Sequence, residues 1–479
     1  MQTTNSADGS VMVRLAYGAG GIANGIFSNG LSFFLLIYYN LVIGLSAELA
    51  GLALGLALLV DAISDPLTGF WSDNLRSRLG RRHPFLYLSI IPVAVLFWLI
   101  WNPPADLTTE MDKFLFLLVT TIALRLAMTL YDVPHNAMVP ELSGNYHERT
   151  RLAGMKVSAS WIAGQIMVIA MYMIWLVPTP DNPYGILNQA GYQSAGLFSA
   201  VIIAIAILLT AVGLHKHIPL FSRTTHERSL GLGAFFRQLG GALGVPSLRA
   251  ILFSSVAYAV AAGISSALWT YLMSFYWELT EEQIGMILAA NLVGALIASV
   301  TFRFRVTKQG KKRAALELLF VSLVVAALPY LLRYLDLMPA NGSESLFWVL
   351  FVHGVIQVGL LVWLSAVTTS MTADIVEAGI VEHGHQSEGI ITSVTTFVGK
   401  AGTAGGLFLS GSLLGLIAFP QNPGGTNLTA EIISNLGVLF MIVSTVLFVV
   451  SAWFLSMYRI SEQDHQGLSE EASRRKETA

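Results

Sequence analysis

Two acidic residues, Asp61 and Asp65, lie four positions apart inside the long apolar segment VDAISDPLTG. Residues four apart share one face of a helix and are separated by about 6 Å along its axis. An ionised side chain at bilayer depth costs several kcal/mol on even the mildest scale, so such residues face the protein interior or a water-filled cavity. Two like charges this close repel each other unless a proton or a cation lies between them. The pair therefore predicts a site for a proton or a small, hard cation.

A second polar stripe occurs in the segment ALRLAMTLYDVPHNAMVPEL, where Arg125, Thr129 and Asp132 fall on one helical face. Carboxylate and hydroxyl oxygens suit Na⁺ or Li⁺, with a proton as the ion-free equivalent, and the sequence offers no imidazole or thiolate cluster of the kind that transition metals prefer. We therefore predict one site for a monovalent cation and no other metal, formed by Asp61, Ser64, Asp65, Thr129 and Asp132.

Three basic residues also fall within or near apolar segments. Lys400, in TSVTTFVGKAGTAGG, lies about 11 residues from the start of its segment and therefore near the bilayer midplane. Lys156 lies only about five residues into its segment, so it either faces the interior or extends to the membrane surface. Arg125 either neutralises a carboxylate or contacts a substrate. For each charged residue, an ion pair that merely holds two helices together is the alternative.

The elements that must position these residues are membrane helices. Of the 479 residues, 54% are hydrophobic and only 12% are charged, a balance that soluble domains of this length do not show. The absence of cysteine excludes disulfides and thiolate metal sites, and the net charge of −2 gives no preference for nucleic acid. The sequence contains no phosphate-cradling loop or nucleophile elbow, so we predict neither an enzyme nor a bound cofactor.

A bilayer requires roughly 20 apolar residues per helix, and that length divides the chain into about twelve segments. The segments lie near 12–40, 47–71, 84–101, 114–133, 152–177, 194–214, 249–277, 283–302, 314–333, 346–373, 389–417 and 433–458. Most Lys and Arg residues fall in the tails and in alternate loops, which predicts cytosolic N- and C-termini. We therefore predict an all-α membrane protein, multi-pass in the plasma membrane, or in the cytoplasmic inner membrane if it is bacterial.

The longest polar interruption divides the segments into six and six. We predict an N-terminal half over 1–214, a cytosolic middle loop over 215–248, a C-terminal half over 249–460 and a polar cytosolic tail over 461–479. The middle loop contains the amphipathic stretch LGAFFRQLGGAL, which predicts a short helix on the membrane surface. Two six-helix halves suggest an internal repeat, as in many transporters.

Several motifs together resemble those of the glycoside–pentoside–hexuronide:cation symporters, a melibiose-permease-like branch of the major facilitator superfamily. The motifs are D-A-x-x-D-P-L-x-G, S-D-N-x-R-S-R-x-G-R-R-x-P, YDVPHNAMVPEL and EGIITSVTTFVGKAG. The resemblance implies the major facilitator fold and symport of a solute with Na⁺, Li⁺ or H⁺ by alternating access. It also implies that the cation site is the one predicted above, with Lys400 close by as a coupling residue.

The sugar site departs from the pattern of galactoside carriers. Gly25, beside Asn24, stands where the family has an aspartate, and Val157, beside Lys156, stands where it has an arginine. Asn136 replaces an aromatic residue, and Ser365 replaces a tryptophan, although Trp363 is two residues away. The candidate substrate-binding residues are Asn24, Arg125, Asn136, Lys156, His353, Gln357 and Trp363.

The intramembrane charges favour an acidic cargo. The charged residues within the apolar segments are three acids and three bases, namely Asp61, Asp65, Asp132, Arg125, Lys156 and Lys400. Their charges balance before any ion binds. One bound cation therefore leaves a positive charge that an anionic substrate could neutralise. We hypothesise a uronide or sulfonated sugar ahead of a neutral glycoside. A lysophospholipid or other amphiphile is the alternative cargo on the same fold, and a non-transporting sensor is the alternative from another functional class.

Polar loops predict a gate on the cytosolic side. The loop over 72–83 resembles the superfamily signature in which an acid and several arginines clamp neighbouring helices, and the loop over 374–388 is acidic. We predict that acids and arginines pair to close this side, with the participants Asp73, Arg76, Arg78, Arg81, Arg82, Asp374 and Glu377. The predicted partners are a small-molecule substrate, a monovalent cation and the lipid bilayer, with no nucleic acid, for a protein that functions as a monomer.

Overall fold

The computed structural model describes residues 10–143, 145–179, 184–218, 246–301, 310–383, 388–421 and 428–458, and only the backbone of 146, 373–383 and 388–393. The regular elements of these residues are helices. In the first part of the chain they are α1 Val11–Gly30, α2 Ala47–Asn74, α3 His83–Ile100, α4 Glu110–Asn136, α5 Val139–Leu142, α6 Tyr146–Ala170 and α7 Gln189–Gly213. In the second part they are α8 Pro246–Tyr271, α9 Glu281–Thr301, α10 Lys311–Tyr334, α11 Glu344–His383, α12 Glu388–Leu416 and α13 Ala430–Ser456.

Three of the helices continue into wider π-helical turns. These turns are Leu31–Leu35 and Tyr38–Val42 after α1, Met171–Trp175 after α6 and Leu272–Tyr276 after α8. The extensions explain why the corresponding apolar segments exceed the minimum length for crossing a bilayer. The predicted helix over LGAFFRQLGGAL and the predicted C-terminal tail lie outside the described residues.

Ten of the described helices are long and apolar enough to cross a membrane. The other two long helices in the described part of the chain are α1, with GAGGIANG, and α12, with GKAGTAGG. Glycine and polar residues lower the hydropathy of both, although each matches a predicted segment. The predicted all-α fold with twelve long helices is therefore confirmed.

The chain forms two compact units, Met1–Leu232 with Phe419–Asn427, and Gly233–Ala418 with Leu428–Ala479. Within the first unit, α1 packs on α6 and α7, α2 packs on α4, and α3 packs on α4 and α7. Within the second unit, α8 packs on α12 and α13, α9 packs on α11, and α10 packs on α11 and α13. Counted from the start of each unit, the long helices pair in the same way, so the two units share one architecture.

Glycines bring α1 and α6 into close contact. A Cβ atom at Gly25 would overlap the carbonyl group of Ser160, and one at Gly21 would overlap the carbonyl oxygen of Lys156. In the second unit, a Cβ atom at Gly406 of α12 would likewise overlap the carbonyl oxygen of Val260 in α8. Small residues at such positions let helix backbones approach each other, which is a common route to helix association in membranes. The close approach of α1 and α6 brings their polar residues next to those of α4.

Candidate cation site and its polar neighbours

The middle of α2 carries two carboxylates to a hydroxyl group of α4. The Thr129 Oγ1 atom lies 2.7 Å from Asp61 Oδ1 and 3.4 Å from Asp65 Oδ1. Asp61 and Thr129 are buried, and Asp65 is half-buried. A hydroxyl group has one hydrogen to donate, so Thr129 can donate to one carboxylate at a time, and its oxygen can still accept or bind a cation. The arrangement brings together three of the five residues predicted to bind a cation.

Two further features of α2 add oxygen atoms near the carboxylates. Pro66 follows Asp65 directly and has no N–H to donate to the carbonyl of Ala62, one turn earlier. The Ser64 hydroxyl donates to the backbone carbonyl of Asp61 at 2.9 Å, which leaves the hydroxyl oxygen itself as an acceptor. A hard monovalent cation prefers such neutral oxygens together with carboxylates.

Arg125 lies one helical turn before Thr129 on α4 and faces the same carboxylates. Its Nη1 atom is 3.7 Å from Asp61 Oδ2, which is within ion-pair range but beyond hydrogen-bonding distance. The guanidinium carbon lies 5.8 Å from the ring centroid of Phe27, a buried residue of α1. Cation–π attraction of this kind stabilises a cation that has left water. Arg125 itself is buried, with a relative exposure of 7%.

Asp132, which we predicted to bind the cation, lies at the centre of a second polar cluster. Lys156 Nζ is 2.6 Å from Asp132 Oδ1 and 2.6 Å from Asn136 Oδ1. The amides of Asn24 and Asn136 donate to the same carboxylate at 3.1 and 3.0 Å. Lys156 is buried, so its ammonium group points into the protein instead of extending to the membrane surface. Three of the predicted substrate-binding residues thus surround one carboxylate.

The two clusters differ in formal charge. The first contains two carboxylates, Asp61 and Asp65, and one guanidinium, that of Arg125. The second cluster is balanced, because Asp132 pairs with Lys156.

The remaining candidate residues belong to the second unit. Lys400 is partly buried on α12. The His353 ring nitrogen Nε2 lies 3.0 Å from the carbonyl oxygen of Val325 on α10, and the indole nitrogen of Trp363 donates to the carbonyl oxygen of Ala298 on α9 at 2.8 Å. These contacts tie α11 to its neighbours. Among the described residues, the buried Gln357 Oε1 has no hydrogen-bond partner.

The loop after α2 forms a compact ion-pair network. Arg82 is buried and contacts Asp73 at 2.5 Å, Glu141 at 3.1 Å and the hydroxyl of Ser72 at 2.5 Å. Arg81 also contacts Glu141, at 2.8 Å. Two other predicted gate residues, Arg76 and Arg78, are exposed. The side chains of Asp374 and Glu377 lie outside the described residues.

Sequence reasoning missed two acidic partners. Glu141, in the short helix α5, contacts both Arg81 and Arg82. Glu148, near the start of α6, accepts two hydrogen bonds from Arg14 of α1, at 2.6 and 2.8 Å. Glu141 stands in YDVPHNAMVPEL, a segment that carries the family resemblance, but nothing in the spacing of either acid identifies the arginine that it contacts. These pairs form only when the segments that carry them pack together in the folded chain.

A family model described as MFS/sugar transport protein matches residues 16–462. The chain belongs to this family of transporters. The predicted resemblance is therefore confirmed, and the chain is a multi-pass membrane transporter of the cation:solute symporter type, not an enzyme. The major facilitator fold agrees with the packing described above.

Curated relatives are symporters from bacteria and an animal. An uncharacterized symporter of Synechocystis, sll1374, is 36% identical over 42% of this chain and 37% of the relative. A putative glycoside/cation symporter of Escherichia coli, YagG, is 24% identical over 95% of this chain and 93% of the relative. The sodium-dependent lysophosphatidylcholine symporter 1 of Mus musculus is 25% identical over 97% of this chain and 90% of the relative. The crystal structure of the nucleoside transporter NupG shares the fold, with a TM-score of 0.62 and 16% identity over 94% of this chain and 99% of that one.

Proposed function

We propose that the protein uses a gradient of Na⁺ or H⁺ to drive uptake of a sugar or acidic sugar derivative by alternating access. The observation that carries this proposal is the convergence of Asp61, Asp65 and Thr129 at the middle of the membrane helices. Carboxylates at this depth are costly unless a positive charge visits them. A cation that enters from the side of higher electrochemical potential supplies that charge and favours the loaded carrier.

Relatives support the choice of a monovalent cation and a sugar. A putative glycoside/cation symporter and a sodium-dependent symporter each align with nearly the whole chain. Oxygen atoms from the carboxylates, Thr129 and Ser64 suit Na⁺ or Li⁺, and protonation of one carboxylate would serve in the same place. Asp132, the remaining predicted cation ligand, is bonded to Lys156 in the second cluster and would have to leave that pair to reach the ion.

The second polar cluster supports a hydroxylated or anionic cargo. Lys156, Asn24 and Asn136 offer an ammonium group and amides that could turn from Asp132 to the hydroxyl or acidic groups of a sugar. The three acids and three bases of the intramembrane set balance before any ion binds, so one bound cation leaves the set with one net positive charge. A uronide or sulfonated sugar would balance it, which favours an acidic sugar over a neutral one.

Gradient-driven uptake into proteoliposomes tests the proposal. The purified protein is assayed with D-glucuronate, methyl β-D-glucuronide, methyl β-D-glucoside and methyl β-D-galactoside, in sodium or choline buffer and with or without a pH gradient. We expect an acidic sugar to accumulate only with a sodium or proton gradient. Accumulation that ignores both gradients would contradict symport, and transport of neutral sugars alone would contradict the acidic cargo.

Substitution of the carboxylates separates coupling from transport. We expect Asp61→Asn or Asp65→Asn to abolish cation-driven accumulation while solute exchange at equal concentrations persists, because only the driving step requires the ion. Asp106→Asn, a change at an exposed position between α3 and α4, is the matched control and should behave as wild type. Equal loss of accumulation and exchange would mean that the carboxylates hold the fold or the solute instead.

An amphiphile is the second candidate cargo. The second unit has a surface groove of about 500 Å³ between α9 and α11. Apart from Glu344, its lining is apolar and includes Met286, Val293, Phe347, Trp348 and Phe351. Its chemistry matches an acyl chain better than a sugar. Adding lysophosphatidylcholine to the same panel of solutes tests this candidate. A protein that binds solutes but transports none of them would be a sensor.

A further inference from the structure

We propose that the second unit contains a pocket that binds uncharged hydroxyl groups of the transported sugar and helps to select that sugar. The pocket lies among α8, α10, α11 and α13. Its lining consists of Leu319, Leu364 and six residues that carry hydroxyl groups, namely Ser254, Ser255, Tyr258, Ser365, Thr368 and Ser451. The inference rests on the proposed sugar transport and gives a specificity role to residues outside the cation site and the Asp132 cluster.

Two buried serines form the inner end of the pocket. Ser254 of α8 and Ser451 of α13 are 7% and 1% exposed, and their hydroxyl oxygens lie 2.9 Å apart. Ser451 also donates to the backbone carbonyl of Ser254 at 3.1 Å. Because each hydroxyl group has one hydrogen, Ser254 then donates to Ser451, and the Ser254 oxygen keeps lone pairs that can accept. The inner end therefore offers an acceptor to a hydroxyl group of a solute.

The other hydroxyl groups of the lining have bonding capacity to spare. Thr368 Oγ1 donates to the carbonyl oxygen of Leu364 at 3.0 Å, so its own oxygen remains an acceptor. Within the described part of the chain, the hydroxyl groups of Ser255, Tyr258 and Ser365 bond to no other residue. Polar groups inside a membrane protein are costly without partners, and a ligand that both donates and accepts would supply those partners.

The pocket opens on a polar side of α11. Ser365 is exposed and lies nine residues after Ile356, which is about two and a half helical turns. Ile356 and Val352, exposed apolar residues one turn apart, are therefore on the opposite side of the helix, where contact with lipid is favourable. Thr369 and Thr372 share the face of Ser365 by helical spacing. The opening faces away from the apolar side, which gives a water-soluble ligand a way in.

The chemistry of the lining favours an uncharged, hydroxylated ligand. None of the eight lining residues is charged, so an ionised group would find no opposite charge there. An acyl chain would leave the hydroxyl groups without partners. Sugar hydroxyls both donate and accept, as those of Ser, Thr and Tyr do. The volume of about 90 Å³ equals that of roughly three water molecules, so the pocket admits one hydroxylated edge of a sugar ring.

Hydroxyl groups in fixed positions make such a pocket selective. The ring of Tyr258 is held by an edge-to-face contact with Phe448 of α13, with the ring centroids 6.1 Å apart. A site that hydrogen-bonds a hydroxyl group of its substrate rejects an analogue that lacks this group, because the protein group is then left unpaired. The pocket should therefore discriminate among sugars by where their hydroxyl groups lie.

Uptake kinetics with competing sugars test the inference in proteoliposomes. The substrate is whichever of D-glucuronate, methyl β-D-glucuronide, methyl β-D-glucoside and methyl β-D-galactoside the wild type takes up fastest, and the competitors are its monodeoxy analogues. We expect Ser365→Ala and Tyr258→Phe each to raise KM about three- to tenfold, the effect of one lost hydrogen bond. One deoxy analogue should compete about three- to tenfold more weakly than the parent sugar in wild type, but nearly as well as the parent in one of these variants.

Ser412→Ala is the matched control, because the Ser412 hydroxyl donates to the Phe408 carbonyl of its own helix at 3.2 Å and does not line the pocket. It should leave KM and every competition ratio unchanged. Both pocket variants are compatible with folding, since Ser365 is exposed and Tyr258→Phe keeps the ring.

An unchanged KM in both pocket variants would overturn the inference and indicate a pocket that holds only water. Equal weakening of the parent sugar and all its analogues would also overturn it, because a structural role does not distinguish one hydroxyl group from another. If the wild type neither takes up nor binds any of the four sugars, the proposed sugar transport fails and the inference fails with it. That outcome is distinguishable, because it is seen without any variant.

Discussion

Lys156 and Asp132 show how a charged pair is accommodated inside a membrane protein. Each ion would be costly alone at this depth, and the amides of Asn24 and Asn136 complete the hydrogen bonding of the carboxylate. Such a pair gives little net stability compared with a well-packed apolar pair, but loss of one partner leaves an uncompensated charge. The pair is therefore sensitive to single changes and tolerant of double ones.

The prediction at this scale concerns unfolding. We expect Lys156→Met to destabilise the protein by about 2 kcal/mol, less than the roughly 3–5 kcal/mol typical of a fully buried pair, because 27% of the Asp132 side chain is exposed. The double variant Asp132→Asn with Lys156→Met should regain most of the loss. Thermal unfolding in detergent measures both. A double variant as unstable as the sum of the singles would mean that the two residues do not act as a pair.

Helical spacing predicted much of the site at the level of residues. The i, i+4 relation of Asp61 and Asp65 and the stripe of Arg125, Thr129 and Asp132 follow from the helix alone. The pairing of Lys156 with Asp132 does not follow from the helix alone. It depends on how α6 packs on α1 and so lies beside α4, and on the rotation of these helices. For the same reason the sequence could not reveal that Phe27 covers the guanidinium of Arg125.

At the level of helices, glycine determines how α1 and α6 pack. Gly25 faces the backbone of Ser160, which cannot move aside as a long side chain would. Gly154 lies on the partner helix, α6, but a Cβ atom there would meet no atom within 4 Å. Two glycines of the same helix pair therefore differ in what they require.

These glycines give a prediction with an internal control. We expect Gly25→Ala to destabilise the protein by about 1–3 kcal/mol, the usual cost of overpacking, because α1 and α6 must separate. Gly154→Ala should be neutral or stabilising by up to about 1 kcal/mol, since alanine favours the helix. Unfolding temperatures in detergent compare the two variants. Similar effects of both changes would contradict the contact between α1 and α6.

The number and order of helices followed from hydropathy, but their ends did not. The apolar segments predicted twelve long helices, and the structure contains them. The predicted segment 12–40 already covered most of the continuation of α1 to Val42. Its π-helical turns and the separate helix α5 had no signal in the pattern of apolar residues. Such details arise from packing and from prolines such as Pro134 near the end of α4.

For the molecule as a whole, the distribution of charge predicts the orientation in the membrane. Arg76 lies in the basic loop between α2 and α3, and Ala105 lies in the loop between α3 and α4. Positive residues are retained on the cytosolic side, so these two loops should lie on opposite sides. The absence of native cysteine makes labelling of single introduced thiols unambiguous.

Labelling with a membrane-impermeant maleimide tests this orientation in intact cells. We expect Ala105→Cys to react from outside, and Arg76→Cys to react only after the cells are permeabilised. The unmodified protein, which has no thiol, is the control. Reaction of Arg76→Cys in intact cells would reverse the assignment and place both termini outside.

The contact between α1 and α6 also limits how the cargo of this transporter could be altered. By the resemblance drawn from the sequence, Gly25 stands where galactoside carriers have an aspartate, and in the structure Gly25 abuts main-chain atoms of α6. Transplanting the acid would therefore push two helices apart before it could meet a sugar. Engineering of galactoside recognition would have to begin with the spacing of the scaffold, and only then exchange the side chains that touch the ligand.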